Sequence, residues 1–476
     1  MIGRKMSWCS CRTVTLASIG LMLRFLSVSA FDTAGIEMRK LSVGENIPLV
    51  QTSDWRHVSE TMHIALLGRS VRCMWHSVLP PNNSAPITSE DAECRFELLT
   101  PNGSLLYAGR ATGTSYSYAS SAGGFQGLLH EVIIPDVIPS GEDLAGKQSG
   151  FRLKYQCRDA SSPPFDEYRE IIELFSRRTH GNRSAIALVA DMGVLESEDT
   201  MASMKTTLDL GDVNLAMVVH SGDISYADDR LSSSNWQVWV EFLRRLQPIP
   251  QHVLYMTAPG NHEAQFNFTA YHNWFHMPHA QSNSSSPDYY SFDYLGVHFS
   301  MISTEMDFQK GSMQHDWLEA DMKKANMNRD AVPWLVVSGH RPLYCSSILS
   351  EKRCRLEAPV YRSYIEDLLL DNQVDVYLAG HNHQYERSYP MYDGVAVQQD
   401  FINPRAPVYI VNGGAGNIEG NDHTFLPSMA VPWRAAHGTH HTGWMTMIPT
   451  NSKLSFFYTE SRSNEIVDKF EIVRTH

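Results

Sequence analysis

Five short clusters in this sequence combine carboxylates, a phenol, an amide and imidazoles in a pattern suited to a pair of metal ions. Their candidate ligands are Asp191, Asp223, Tyr226, Asn261, His340, His381 and His383. The centre of the set is Gly222-Asp223-Ile224-Ser225-Tyr226. A carboxylate has two oxygens and can bridge two metals, which is the role read for Asp223. A phenolate is a hard anionic donor fit for a ferric ion, the role read for Tyr226. In Gly380-His381-Asn382-His383 the alternate histidines can address adjacent metals. Each cluster alone has a plainer reading: a strand-end Asp is usually a turn residue, and Gly260-Asn261-His262 fits a turn with a surface histidine. The ordered set is what points to chemistry.

Ligands of this kind need rigid elements to carry them. Ala185 to Ala190 is a continuous apolar run ending at Asp191, and Leu215 to Val219 leads to Asp223. Val253 to Met256 precedes Asn261, Trp334 to Val337 precedes His340, and Val374 to Leu378 precedes His381. Val297 to Ile302 is a further strand candidate, and Thr200–Leu210, Trp236–Leu246, Met313–Asn326 and Tyr361–Leu370 have helical character. Strands alternating with helices predict an α/β domain over 181–476, with ligands at the carboxyl edge of its strands. Residues 31–180 differ. Alternating segments at Met62–Leu66, Ser70–Trp75, Cys94–Leu99 and Phe151–Tyr155, separated by turns such as Pro80-Pro81-Asn82-Asn83, predict a β-sandwich, read as a support or recognition module.

The chain has 476 residues, 43% hydrophobic and 19% charged, with a formal net charge of −13. That charge argues against nucleic acid as a partner. It does not exclude an anionic substrate, because a metal centre sets its own local field. Residues 1–30 have the form of a signal peptide: Arg4, Lys5 and Arg12, then a mostly apolar Val14–Leu26, then Val28-Ser29-Ala30 as a cleavage site. No later stretch approaches a transmembrane length, so no membrane anchor is expected. Cysteine spacing lacks the short pairs of a zinc site and favours disulfides, with Cys345–Cys354 the best pair; among Cys73, Cys94 and Cys157 at least one stays outside an internal pair. Glycosylation sequons begin at Asn82, Asn102, Asn182, Asn267 and Asn283. Together these features predict a secreted protein or one of an endomembrane, lysosome-like lumen.

The metal set resembles the purple acid phosphatases, a branch of the dimetal phosphoesterases whose pattern is DxG, GDxxY, GNH[D/E], VxxH and GHxH. Here it reads Asp191-Met192-Gly193, Gly222 to Tyr226, Gly260-Asn261-His262-Glu263, Val337-Ser338-Gly339-His340 and Gly380 to His383. The likeness continues through Tyr289 to Tyr294, Gly339 to Tyr344 and Asn412 to Asn417, covering essentially all of 185–476. The N-terminal region looks like the fibronectin-III-like β-sandwich of the family's long, animal-type form. The resemblance implies that Asp191, Tyr226 and His383 hold Fe(III), that Asn261, His340 and His381 hold a divalent iron, zinc or manganese, and that Asp223 bridges. Other dimetal phosphoesterases usually have DxH and lack the GDxxY tyrosine; glycine at 193 and tyrosine at 226 mark the purple branch. The implied reaction is hydrolysis of phosphomonoesters by metal-bound hydroxide, with Asn261 and His262 contacting phosphate and His262 protonating the leaving group.

One departure bears on substrate choice. Plant members carry histidines after the VxxH ligand, whereas no histidine lies between His340 and His381 here. A Cys345–Cys354 loop with Lys352, Arg353 and Arg355 stands there instead; its basic residues could touch a substrate phosphate, but a solvated loop is the preferred reading. His437, His440 and His441 are read as cleft-rim or structural residues, since every ligand place is filled. Two other readings compete: a phosphodiesterase or nucleotide pyrophosphatase on the same core, and a catalytically silent secreted binding protein. The second should have lost ligands, and none is lost. Neither the oligomeric state nor the physiological substrate follows from the sequence.

Overall fold

The computed structural model describes residues 61–78, 92–100, 102–118, 125, 127–137, 151–159, 169–171, 184–229, 235–350, 352–438 and 441–475. The leader-like segment 1–30 and the sequons at Asn82 and Asn182 lie outside these residues.

The expected alternating segments are strands His63–Leu67, Ser70–Val78, Ala92–Leu99 and Arg152–Asp159. They join Leu105–Tyr116, Gly127–Ile134 and Arg169–Ile171 in one antiparallel path. Leu105–Tyr116 pairs with Ala92–Leu99 over its first part and with Gly127–Ile134 over its last three residues. A strand that changes partner along its length turns the path into the two layers of a β-sandwich. Cys94 and Cys157 face each other in register and form a disulfide. Cys73, the remaining cysteine of the three, is buried.

From Ser184 the chain builds two further sheets. One runs Leu254–Ala258, Asn214–Ser221, Ser184–Val189, Gly443–Pro449, Lys453–Glu460, Ile466–Val473. Its first three strands are parallel and its remaining pairings antiparallel. The other runs Tyr290–Tyr294, Val297–Met301, Trp334–Ser338, Val376–Ala379, Val408–Asn412, Tyr385–Tyr392, Val395–Ala396, with Arg434–His437 also on Tyr385–Tyr392. Its parallel heart is Val297–Met301 through Val408–Asn412. The parallel strands are buried along nearly their whole length, which is why they read as unbroken apolar runs. Helices Glu198–Leu210, Asn235–Leu246, Met313–Asn326 and Ala358–Asp371 cover them.

Helix Ala358–Asp371 starts earlier than the Tyr361 expected from periodicity. Pro359 occupies its first turn, where a missing N–H removes no hydrogen bond. A wide helical turn, Arg353–Glu357, feeds directly into it. Part of the segment expected to be a solvated loop is therefore helical, and among its described residues Ile348, Leu349, Lys352, Arg355 and Leu356 are exposed. The described sequon residues Asn102, Asn267 and Asn283 are exposed. Among the described residues no helix is long and apolar enough to cross a membrane.

Candidate metal centre

The five parallel strands that carry the clusters end at one place. Beyond their ends the loops are zipped in pairs. Asp191, Met192 and Gly193 donate backbone N–H groups to the carbonyls of Gly222, Asp223 and Ile224 (3.1, 3.2 and 2.9 Å), extending the strand ladder into the site. Gly339 N–H bonds Leu378 O at 3.1 Å and Gly380 N–H bonds His340 O at 2.8 Å, doing the same in the second sheet. The backbone turns sharply there: Asp191, Asp223, Tyr226 and His381 all have positive φ, between 52° and 67°. Non-glycine residues held in this region carry strain that tertiary structure must impose, and such strain clusters at functional sites. Space is equally tight. A Cβ at Gly260 would sit 2.2 Å from Oδ1 of Asp223, and one at Gly380 would sit 2.3 Å from Oδ2 of Asp191. These glycines let two carboxylates lie against the backbone.

Two donor groups result. In the first, the Tyr226 hydroxyl is 3.3 Å from Oδ1 of Asp191 and 3.1 Å from Nε2 of His383, which is 3.6 Å from that same Oδ1. Three donors at such spacings could share one ion at bonds of about 2.1 Å. His383 donates Nδ1–H to Gly420 O at 3.1 Å, leaving Nε2 for the ion. In the second group, ligand atoms of Asp223, His340 and His381 lie within 4.8 Å of one another. Nε2 of His340 is 2.9 Å from Oδ2 of Asp223 but lacks hydrogen-bond alignment, while its Nδ1 bonds Ser221 O at 2.9 Å. Oδ1 of Asn261 is buried without a partner, an orphan acceptor at the same strand end. The residues present fit two cations.

The electrostatics agree. Burial, with the neighbouring Asp223 charge, pushes Asp191 well above the usual carboxylate range, against the charge of His340. Burial and the charges of Asp191 and Asp223 likewise push the Tyr226 phenol far up. Asp223 is held well below its ordinary range: burial opposes this, but the charge of His340 wins. His340 is correspondingly raised to about 9, burial opposing and the charges of Asp223 and Asp191 prevailing. Burial lowers His383 to about 3 and His381 well below its usual value, so both are neutral and available as ligands. A cation here would relieve the buried carboxylates and displace the proton of His340.

His262 lies beside the donor groups rather than within them. Its ring stacks on Tyr226 with centroids 4.1 Å apart, and its Nδ1 is 2.7 Å from Oδ1 of Asp228. Its Nε2 is 3.9 Å from Oδ2 of Asp223, and its backbone N–H bonds Oδ1 of that residue at 2.9 Å. Burial would lower this histidine, but the Asp228 hydrogen bond and the charge of Asp223 raise it to about 10. Sequence reasoning assigned no role to two neighbours, Glu263 and Asp228, and left a third, Arg353, as one of several basic residues that could touch a phosphate. Glu263, buried, accepts the backbone N–H groups of Asp223, Ile224 and Gly260 at 2.8, 2.9 and 2.8 Å and so fixes both ligand loops. Asp228 orients His262. Arg353 donates Nη1–H to His381 O at 2.7 Å and so departs from the solvated reading, while Lys352 and Arg355 beside it are exposed. His437 packs its ring on Phe425 and bonds Gly438 O, while His440 lies outside the described residues.

Comparison with known proteins places this geometry among relatives. The calcineurin-like phosphoesterase family model matches residues 184–385, and the iron/zinc purple acid phosphatase-like protein C model matches residues 406–469. Human acid phosphatase type 7 is 36% identical over 215 residues, 42% of this chain and 48% of that protein. Its zebrafish counterpart is 27% identical over 406 residues, 78% of this chain and 84% of that one. Purple acid phosphatase 23 of Arabidopsis thaliana is 30% identical over 359 residues, 68% of this chain and 71% of the relative. Among solved structures, the yellow lupin purple acid phosphatase PPD1 superposes with a TM-score of 0.70 at 20% identity, covering 87% of this chain and 74% of that one; it supports the fold.

Proposed function

From the premise that the chain belongs to the purple acid phosphatase family, we propose that it is an acid phosphatase hydrolysing small phosphomonoesters at a dimetal centre. The observation that carries this reading is the convergence of Asp191, Tyr226 and His383 beside Asp223, His340 and His381. Asp191, Tyr226 and His383 would hold Fe(III); Asn261, His340 and His381 would hold a divalent iron, zinc or manganese; the two oxygens of Asp223 would serve both ions. When bound, the pair supplies an activated water and an electrophilic seat for phosphate oxygens. The chain's own residues do the rest. Asn261 and His262 face the phosphate, and Asp228 holds His262 protonated with Nε2 directed away from its own carboxylate. In that state His262 can give a proton to the departing alkoxide. Glu263 keeps the Asp223 and Gly260 loops at fixed separation through three backbone hydrogen bonds. The buried walls exclude bulk water, which strengthens each of these interactions.

A secreted or lysosome-like location fits the two disulfides, the exposed sequons and the leader-like first thirty residues. The test is metal analysis and a visible spectrum of the purified protein, with turnover of p-nitrophenyl phosphate compared with its bis-ester in acid. Iron with a second metal, a visible charge-transfer band and preference for the monoester are expected. Colourless, iron-free protein would sink the ferric assignment, and preference for the bis-ester would favour a phosphodiesterase.

A further inference from the structure

The mouth of the centre is unevenly charged. Glu419 lies 3.8 Å from His383, and Asp228 and Asp229 lie 2.7 and 4.0 Å from His262. A dianionic ester approaching that side meets carboxylates. On the His381 side stand three cations with different commitments. Arg341 is committed on every side: it pairs with Glu305 at 2.7 and 2.8 Å, approaches Glu357 at 3.3 Å, and donates Nη1–H to Nε2 of His381 at 3.1 Å. Lys352 is exposed and pairs with Glu357 at 3.5 Å. Arg353 differs from both. Its Nη1 is anchored on the carbonyl of His381, and the rest of its guanidinium has no hydrogen-bond or ion-pair partner among the described residues.

Its placement is built rather than incidental. Cys345 and Cys354 close a short loop through a disulfide, and Cys354 N–H bonds Ser350 O at 3.0 Å. Asn382, between the two histidine ligands, directs Nδ2 at both sulfurs, 3.4 Å from Cys345 and 3.0 Å from Cys354. The residue before Cys354 is thereby pinned against the Gly380–His383 segment. The Arg353 charge is close enough to act on Asp191, His381 and His383. A guanidinium held at one nitrogen and open at the others presents a planar fork matched to phosphate oxygens.

We infer that Arg353 is a substrate-binding residue of this centre: it contacts the ester phosphate in the place left without a histidine between His340 and His381, and the Cys345–Cys354 disulfide positions it there. The inference rests on the phosphatase reading. Its test uses Arg353→Ala, Arg353→Lys and the double variant Cys345→Ser/Cys354→Ser in the full chain, with inorganic phosphate as the probe. Metal content, the visible band, KM for p-nitrophenyl phosphate, and phosphate affinity by titration of that band are measured for each. Arg353→Ala should keep its metals while KM and the phosphate dissociation constant rise about tenfold to a hundredfold, the loss of a charge-assisted contact. Arg353→Lys should recover part of that loss, and the double variant, which keeps Arg353 but frees its loop, should show a smaller rise. Unchanged phosphate affinity in Arg353→Ala overturns the proposal, as does loss of metal, which would make the residue a brace of the His381 loop. Wild-type protein that neither hydrolyses the ester nor binds phosphate overturns the phosphatase reading itself, whereas active wild type with an unaffected Arg353→Ala overturns only the role of Arg353.

Discussion

The metal centre and the contact made by the N-terminal sandwich differ in how they treat buried polar groups. At the centre, carboxylates, imidazoles and a phenol are crowded together, the backbone is left-handed at four candidate ligands, and the Asn261 oxygen has no partner among the described residues. Where the sandwich meets the catalytic region, polar groups are paired across the contact. His63 bonds Trp274 O at 2.9 Å, Tyr116 bonds Asn273 O at 2.9 Å, Tyr118 accepts from the Trp274 indole at 3.0 Å, and Tyr155 bonds Gln251 O at 2.8 Å. Arg72 bonds His276 O and pairs with Glu131, which also holds His276 at 2.8 Å. Most of these contacts fall on Thr269–Trp274 and the two residues that follow, a few positions after Asn261 and His262 in the chain. The difference teaches what each region is for. Satisfied polar groups hold surfaces together, and unsatisfied, like-charged ones await a cation.

Substitutions at the centre should therefore alter metal and chemistry while leaving the fold, and substitutions at the contact should do the reverse. The largest effect is expected for Asp223→Asn, which removes the charge shared by both donor groups. Metal content should collapse and turnover should fall on the order of ten-thousand-fold or more, with far-UV circular dichroism unchanged. Retained stoichiometric metal would break the bridging assignment. Next, His262→Ala should retain metal and lose about a hundredfold to ten-thousand-fold in turnover, with poor leaving groups suffering most. Equal loss for phenyl and alkyl esters would remove the proton-donor role. Tyr226→Phe should bind metal but lose the visible band, since the phenolate is its source; an unchanged band would undo the ferric site.

How much of this was legible in the sequence depends on how each residue acts. Asp191, Asp223, Tyr226, Asn261, His340, His381 and His383 each follow an apolar run by a few residues, so strand-end placement alone brings them to one edge. The sandwich was legible from its alternation, but the Cys94–Cys157 pairing was not, because it depends on the register of two strands far apart in the chain. Glu263 and Asp228 act through hydrogen bonds, one to the backbone of two loops and one to His262, and no spacing rule announces such contacts. Arg353 was legible only as one of three basic residues that could touch a phosphate, for a related reason. A basic residue in a short loop is ordinarily solvated, and only the path set by the disulfide and the wide turn Arg353–Glu357 directs it inward.

The smallest predicted effect tests the contact, and its sign follows from Glu131. Burial alone would raise this carboxyl, but the hydrogen bond from His276 and the charge of Arg72 hold it below its ordinary range. A carboxylate with a depressed folded pKa adds stability that is fully present above its unfolded pKa, near 4.3, and is lost as pH falls through the folded value. Glu131→Gln should therefore lower unfolding stability by about 1–2 kcal/mol at pH 6, as for a paired charge that is largely but not wholly buried. The gap from wild type should narrow as pH drops below about 4, where the wild-type carboxyl also becomes neutral. Denaturant titrations at several pH values measure it, and the visible band monitors the centre in the same samples. A pH-independent gap would mean that Glu131 contributes by packing alone. A change in the band at full folding would mean that the contact and the metal centre are energetically one structure, and that the sandwich helps to set the position of Asn261 and His262.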